Sequence, residues 1–355
     1  MKLPLILFVI LCTSVVAETK AVLTTDTQPN ESTTLVWSPL FQASWDKLNP
    51  SFNGKLVKVE PENKVMETLD QFKWEEKMVM PEGGYAVFLG PSTREFITEV
   101  KKEVFEKFNY KMSIDDSAGH PNGKTVLGVL VRDLTFKKKF FRSKIHALDF
   151  NFSNGKSHPV HFFGTAKKLS SRYGKNVKIL SHDSEKDSFI LSIQTDKPAE
   201  QLMIYKPSKA ISFDSAIKHV NAAIKKPLAG ELGSATDGYL HEKDVVKIPY
   251  VSVDSAEDFT TQLKGLRYYQ GEPEPRLISK ALQITKFELF EKGARVRVET
   301  RIDDVFGGPP PQPNYIPRDF ICDQPFFIFT WKEKATLPYF AIWVDSANVL
   351  QPFKK

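Results

Sequence analysis

Hydrophobic residues recur at two different spacings along this chain of 355 residues. Helical spacing places Phe96, Val100 and Val104 on one face of a segment that Ser92 opens, with lysines and glutamates opposite. Beyond residue 124, β-branched and aromatic residues gather in short runs bounded by turn residues, which is typical of strands. Strands and helices do not alternate regularly. We therefore predict an α+β fold with one large, mostly antiparallel main sheet, smaller sheets beside it, and helices concentrated in the N-terminal half.

The other elements follow from the same patterns. Ser38 and Pro39 suit the N-cap and the first position of an early helix. Residues 18–34 are polar and predict a loose leader, 50–80 predict irregular structure, and 111–124 predict a loop. Strands are expected over 125–136, 145–152, 189–193, 202–205, 245–253, 282–290, 294–302, 326–331 and 339–344.

Composition narrows the class of protein. Apolar residues make up 41% of the chain and include 27 phenylalanines, which is enough for a large buried core and excludes disorder as the main state. The net charge of +6 is too small to indicate a nucleic-acid partner.

The first residues predict export. Residues 1–17 combine Lys2, a short apolar run and small residues, as in a secretory signal peptide, and the run is too short for a membrane span. Removing this segment removes Cys12 and leaves Cys322 alone, so we expect no internal disulfide. We expect a secreted, extracellular protein, or a periplasmic one in a bacterial host, with 35–355 as a single domain.

One interval joins a strand to a stiff loop. After Gly293, small or apolar residues alternate with charged ones, and the glycines and prolines of 307–313 then exclude regular structure. The plainer interpretation is an ordinary strand already in place. The small or apolar positions are Ala294, Val296, Val298, Thr300 and Ile302, and the charged positions are Arg295, Arg297, Glu299 and Arg301.

The residues after this loop resemble the serpin family. Serpins carry a Phe-x-x-Asp-x-Pro-Phe motif after their reactive-centre loop, and Phe320, Asp323, Pro325 and Phe326 match it. Ser38-Pro39 is similar to the Phe-Ser-Pro segment at the start of an early serpin helix. Further similar segments come in the family's order at 129–141, 150–163, 246–266 and 279–293.

The resemblance also has departures. Arg132 stands where the family's strand has asparagine. Residues 111–124 leave no room for the helix that lies across the main sheet of serpins, and the region after the first helix is short. We therefore expect a divergent, shortened member in which several family helices are missing.

The resemblance implies a bait mechanism. A protease attacks the exposed loop and forms an acyl-enzyme, and the cut loop inserts into the main sheet and distorts the protease. Residues 293–320 would form this loop, and the chain itself would need no catalytic residue, cofactor or metal. The hinge would comprise Gly293, Ala294, Val296, Val298 and Thr300. The bait bond would be Phe306–Gly307 for an enzyme with an apolar pocket, or Arg301–Ile302 for a trypsin-like one.

Two functions stay open at this point. The first is an inhibitor of serine or cysteine proteases. The second is a non-inhibitory binding protein with the loop segment already in the sheet, because Val296 and Val298 favour strands more than the small alanines usual at this hinge. In either case we expect a monomer.

A basic cluster is a second candidate site. Lys137, Lys138, Lys139 and Arg142 could hold a sulfated glycan, although lysines at a strand edge also discourage aggregation. The nearby pair of histidines in 158–161 lacks a third ligand for zinc.

Overall fold

The computed structural model describes residues 18–48, 58–60, 64–115, 123–165, 173–174, 176–225, 238–263, 267–269, 276–277, 281–295 and 317–354. The helices are α1 (Leu40–Leu48), α2 (Lys64–Gln71), α3 (Glu76–Val79), α4 (Arg94–Phe108), α5 (Phe213–Lys225) and α6 (Thr260–Leu263). The strands of the first half are β1 (Glu18–Val22), β2 (Thr33–Trp37), β3 (Lys58–Glu60), β4 (Tyr85–Pro91), β5 (Lys124–Leu130), β6 (Leu134–Thr135), β7 (Phe141–Arg142), β8 (Leu148–Asn151), β9 (Ser157–Val160), β10 (Phe162–Gly164) and β11 (Val177–Asp183). Those of the second half are β12 (Ser188–Gln194), β13 (Glu200–Lys206), β14 (Val245–Pro249), β15 (Val251–Asp258), β16 (Arg267–Tyr269), β17 (Arg276–Leu277), β18 (Leu282–Phe290), β19 (Gly293–Arg295), β20 (Asp319–Ile321), β21 (Phe326–Lys332) and β22 (Phe340–Val344).

The largest sheet has seven strands in the order β1-β2-β22-β21-β13-β12-β11. Neighbouring strands are antiparallel except β1 and β2, which are parallel. Its inner strands are apolar on both faces: Leu202 and Ile328 pack into one buried cluster, whereas Phe327 packs into another that includes Phe213 of α5. The predicted α+β class, with a large, mostly antiparallel sheet and smaller sheets beside it, is confirmed.

The N-terminal segment differs from the expected loose leader. Glu18–Val22 forms β1, which pairs residue by residue with Thr33–Trp37 at the edge of the seven-stranded sheet. Ala21 is buried there, while Glu18 is exposed. An edge strand needs only a few apolar contacts, so a polar, Thr-rich segment can form one. The prediction of a loose leader over 18–34 is therefore wrong for 18–22 and for 33–34.

Helices occupy part of 50–80, which was expected to be irregular. Met66 and Leu69 of α2 are buried in one cluster with Trp45 of α1. The eight residues of α2 are too few for a clear periodic pattern. At α4 the capping side chain is that of Thr93 rather than Ser92, since Thr93 Oγ1 accepts a 3.3 Å hydrogen bond from the backbone N–H of Phe96.

The strand predicted over 125–136 is divided in two. β5 pairs with β4, and this pair packs against α4. After 131–133, β6 joins a four-stranded sheet in the order β15-β18-β19-β6, which we call the hinge sheet. The residues of β19 therefore belong to the hinge sheet and not to the seven-stranded sheet.

A second four-stranded sheet, with the order β20-β14-β10-β7, is called the rim sheet below. Its strand β20 follows the 296–316 segment and lies parallel to β14. The smaller sheets are β17-β16-β3 and β8-β9. The rim and hinge sheets thus hold the two ends of the predicted loop.

Candidate functional site

β19 leads from the hinge sheet into the segment 296–316. It lies between β18 and β6 and is antiparallel to both. Ala294 pairs with Leu289 on one side and with Leu134 on the other, and all three side chains are at most 5% exposed. Gly293 and Ala294 are therefore held on both edges before the chain reaches the predicted loop.

A glycine is required at position 293 because the backbone of Leu134 lies very close to it. Its φ is +149°, and a Cβ built there would lie 2.0 Å from the carbonyl oxygen of Leu134. No side chain fits at that distance, so only glycine lets β19 approach β6 in this way. The position explains why a glycine precedes the alternating segment.

The turn before β19 is held by two side chains and by one backbone hydrogen bond. The Tyr250 hydroxyl donates a 2.7 Å hydrogen bond to Glu291 Oε2, and Lys139 Nζ lies 3.9 Å from Glu291 Oε1. The backbone N–H of Phe140 donates to the Glu291 carbonyl at 2.8 Å. Burial, with a smaller effect of Glu291, raises the pKa of Tyr250 far above its ordinary value, so its hydroxyl remains a donor.

Beyond Arg295, the chain enters 296–316, which lie outside the described residues. β5 pairs with β4 on one edge, and β18 pairs with β15 on one edge. Within the described ranges, no strand pairs with the other edge of β5 or of 282–287. Because β19 separates β6 from β18, these two strands stand two strand spacings apart, roughly 9.5 Å. We call the position of β19 between β6 and β18, together with its continuation along 282–287 and β5, the strand slot.

Arg132 lies at the head of the strand slot, between β5 and β6. Its guanidinium donates to both carboxylate oxygens of Glu200 at the start of β13, and the Tyr339 hydroxyl donates to Glu200 Oε2 at 2.8 Å. These hydrogen bonds raise the pKa of Arg132, and burial raises that of Tyr339. The charge that departs from the serpin pattern is therefore matched by a buried carboxylate of the seven-stranded sheet.

The chain after 296–316 is anchored by Lys206, whose side chain is 1% exposed. Its Nζ donates to Asp187 and to Asp323 at 2.6 Å each, and to the carbonyl of Ile321 at 3.0 Å. Burial acts to lower the pKa of Lys206, but the two carboxylates outweigh this effect and the pKa is raised. Asp323 of the predicted family motif thus ties the segment after β20 to the end of β13.

Arg318 gives β20 a second anchor. Its backbone N–H donates to Asp244 Oδ1 at 3.0 Å, and its guanidinium donates to Asp244 Oδ2 at 2.9 Å and to the carbonyl of Tyr239 at 2.8 Å. The side chain of Asp244 is fully buried. The chain that leaves 296–316 therefore enters the rim sheet at a fixed point.

The other residues of the serpin-like motifs have structural roles: they cap a helix or pack in the core. Ser38 Oγ accepts a 3.2 Å hydrogen bond from the first backbone N–H of α1, directly after Pro39. Phe320 and Phe326 are fully buried, and Pro325 leads into β21. Cys322, which lies between them, is free and fully buried, and burial raises its pKa.

Several predicted site residues lie outside the described residues. They are the hinge positions Val296, Val298 and Thr300, both candidate bait bonds (Phe306–Gly307 and Arg301–Ile302), and the signal segment 1–17. The roles of these residues, and the hinge role of Gly293 and Ala294, stay predictions.

The basic cluster is solvent-exposed at the edge strand β7. Lys137, Lys138, Lys139 and Arg142 are all exposed, and the guanidinium of Arg142 lies 5.5 Å from the ring centre of Tyr250.

In the part of the chain that the structure describes, no group of three or more potential ligand residues could hold a metal ion, and no helix is long and apolar enough to cross a membrane.

Sequence reasoning missed the contacts around β19 and the strand slot. Tyr250 and Glu291 are 41 positions apart, and Arg132 and Glu200 are 68 apart, so no local pattern joins them. A weak signal existed for Glu200 and Lys206, because these two charges bound the apolar run 202–205 and lie at the ends of a buried strand.

This arrangement of sheets, in which β19 lies between two other strands directly before 296–316, is that of the serpin fold. The chain matches tengpin, a thermophilic serpin in its native state, at a TM-score of 0.58 and 13% identity over 91% of each chain. It matches thyroxine-binding globulin in complex with thyroxine at a TM-score of 0.54 and 12% identity, over 88% of this chain and 92% of that one. A structure of the human globulin gives 0.52 at 12% identity. No protein-family model and no curated protein sequence matches the chain.

At sequence identities this low, the structural matches establish the fold alone. The sequence resemblance to serpins is thereby confirmed at the level of the fold, by matches that span most of the chain.

Proposed function

We propose that this chain is an exported inhibitor of serine or cysteine proteases that acts as bait through the 296–316 segment. The observation that carries the proposal is the strand slot. β19 fills its head, and two strand edges continue beyond it without a strand partner in the described residues. A strand released by cleavage would continue β19 along these two edges.

The registers of β19 support insertion of the residues that follow. Ala294 pairs with Leu289, so continuing that register places Val296 beside Phe287 and Val298 beside Thr285. Leu289, Phe287 and Thr285 are all buried. The small or apolar face of the segment would therefore turn to the core.

The charged face would turn to solvent. In the same register, Arg295 pairs with the exposed Glu288, and Arg297 would stand beside the exposed Lys286. On the other side of the slot, Val296 would stand beside Arg132, whose charge is already matched by Glu200. Insertion would therefore bury no unpaired charge of the segment, which would otherwise cost several kcal/mol.

The bait reaction would use the protease's own chemistry. The nucleophile of the protease attacks the bait carbonyl and forms an acyl-enzyme, with release of the new amino terminus. Insertion would then carry the acylated residue away from the rest of the chain, which Lys206 and Arg318 hold at the rim. The chain supplies strain and position, and no catalytic group.

A non-inhibitory binding protein is the second candidate. The observation that favours it is that Gly293 and Ala294 are already paired on both edges in the uncleaved chain. If the rest of the segment follows them in the resting state, no insertion energy is left for a protease.

A protease panel separates the two candidates. The protein is incubated with trypsin-like, chymotrypsin-like and papain-like proteases, and denaturing gels are examined for covalent adducts. The melting temperature is measured before and after loop cleavage. An adduct with a large rise in melting temperature supports the inhibitor and locates the bait bond. Clean cleavage without adduct and without a rise contradicts inhibition and favours the binding protein.

A further inference from the structure

The chain around β7 exposes cations and large apolar side chains together. Residues 137–146 contain no carboxylate. Phe141 is 53% exposed and Ile145 is 79% exposed. The cations of this segment are all exposed, and they are Lys137, Lys138, Lys139, Arg142 and Lys144.

The register of the rim sheet places Phe141 on its outer face. Phe141 stands opposite Gly164, and Gly164 stands opposite Lys247. Residues directly opposite in an antiparallel pair share a face. In the neighbouring row, Phe163 and Ile248 are fully buried and mark the inner face, and the exposed Arg142 pairs with Phe163 and so stands in that row, not in the row of Phe141. Phe141 therefore projects away from the core, in the same row as another cation.

Ile145 lies in a turn of defined shape. Ser143 Oγ donates to the carbonyl of His146 at 2.8 Å and accepts from its backbone N–H at 3.1 Å. Ser143 itself is 3% exposed. The turn is thus fastened at its base while Lys144 and Ile145 face solvent.

A second exposed phenylalanine, Phe105, lies in a surface whose charges are balanced. Phe105 on α4 is 55% exposed, but acidic and basic residues alternate around it, and Lys102 lies 3.9 Å from Glu106. An apolar side chain in a charge-balanced surface has no preference for an anionic partner. Phe105 therefore provides a matched control for the segment around β7.

We propose that 137–146 is a docking surface for an anionic phospholipid membrane. The exposed lysines of this segment attract the headgroups, and Phe141 and Ile145 enter the boundary between headgroups and acyl chains. A sulfated glycan would satisfy the same cations, but it has no apolar phase for two exposed hydrophobic side chains. The apolar residues therefore favour a lipid surface over the glycan that charge alone predicts.

Vesicle co-sedimentation tests this proposal. The full chain is mixed with vesicles of phosphatidylcholine alone and of phosphatidylcholine with phosphatidylserine. We expect binding to the anionic vesicles only, and a loss of about tenfold or more in affinity in the double variant Phe141→Ser/Ile145→Ser. Phe105→Ser should bind as the wild type does. Because all three side chains are largely exposed, each variant should keep the circular dichroism spectrum of the wild type.

Three results would overturn the proposal. The first is no binding to anionic vesicles. The second is vesicle binding that Phe141→Ser/Ile145→Ser leaves unchanged, because charge alone would then explain it. The third is binding to heparin that is much tighter than binding to anionic vesicles and that the double variant retains. This result would assign the surface to a sulfated glycan.

Discussion

The imidazole of His182 lies against the ring of Phe320, with the two ring centres 5.1 Å apart. His182 belongs to β11, at one edge of the seven-stranded sheet, whereas Phe320 belongs to β20, directly after the predicted loop. This contact joins the largest sheet to the strand that would have to stay in place while the loop moves.

The contact predicts an effect of pH on stability. Burial, and next the nearby Arg318, lower the pKa of His182 below its ordinary value, although the carboxylates of Asp244, Asp183 and Asp187 act the other way. A lowered pKa in the folded state means that the unfolded chain binds the proton more readily. The free energy of unfolding should therefore fall as the pH drops below about 6.5.

Urea denaturation at several pH values between neutral and mildly acidic checks this effect. His182→Gln cannot take up a proton and should show a shallower decline than the wild type. Identical pH dependence in the two proteins would contradict the role assigned to His182.

The Tyr250–Glu291 hydrogen bond should hold the turn before β19. Tyr250→Phe removes a donor to a charged, poorly exposed carboxylate, which should cost about 2 kcal/mol of the free energy of unfolding. It should also speed hydrogen exchange at the amide of Phe140, which bonds to the Glu291 carbonyl.

Tyr85→Phe is the matched control for this variant. The Tyr85 hydroxyl donates to Glu76 Oε1 at the same distance of 2.7 Å, away from the turn. It should lower stability without changing the exchange at Phe140. Equal exchange at Phe140 in the two variants would argue against a local role for Tyr250.

Gly293→Ala should disturb the seating of β19. The new Cβ would meet the carbonyl of Leu134 at 2.0 Å, so the strand must move away from β6. We expect a loss of about 3 kcal/mol in the free energy of unfolding. Gly155 is the control, because its φ is also positive at +78° but nothing lies within 4 Å of its added Cβ.

Gly155→Ala should therefore cost only the backbone strain, about 1 kcal/mol. Guanidinium denaturation of both variants gives the comparison. Equal losses would mean that backbone conformation, and not the approach to Leu134, explains Gly293.

The sequence predicted the elements that depend on local pattern and missed those that depend on distant partners. The helical spacing of α4 and the apolar run of β21 are contiguous, so their patterns could be interpreted directly. β1 could not be predicted because its polar residues gain order only by pairing with β2. The division of the strand at 131–133 was hidden for a similar reason, since Arg132 finds its partner Glu200 on another sheet.

The sharpest test of the strand slot compares two neighbouring positions of the loop. In the register set by β19, Val298 would face the core beside the buried Thr285, whereas Arg297 would face solvent beside Lys286. Val298→Glu would bury an unpaired carboxylate on insertion, at a cost of several kcal/mol. Arg297→Glu would place a carboxylate beside a lysine in solvent.

Both variants carry glutamate one residue apart, so they differ in the face of the strand that they change. If the inhibitor proposal holds, Val298→Glu should be cleaved by the target protease with at least about a tenfold drop in adduct yield, because insertion becomes slow relative to release of the acyl-enzyme. It should also lose the rise in melting temperature after cleavage. Arg297→Glu should keep both properties. Equal behaviour of the two variants would show that the segment does not enter the sheet in the register of β19.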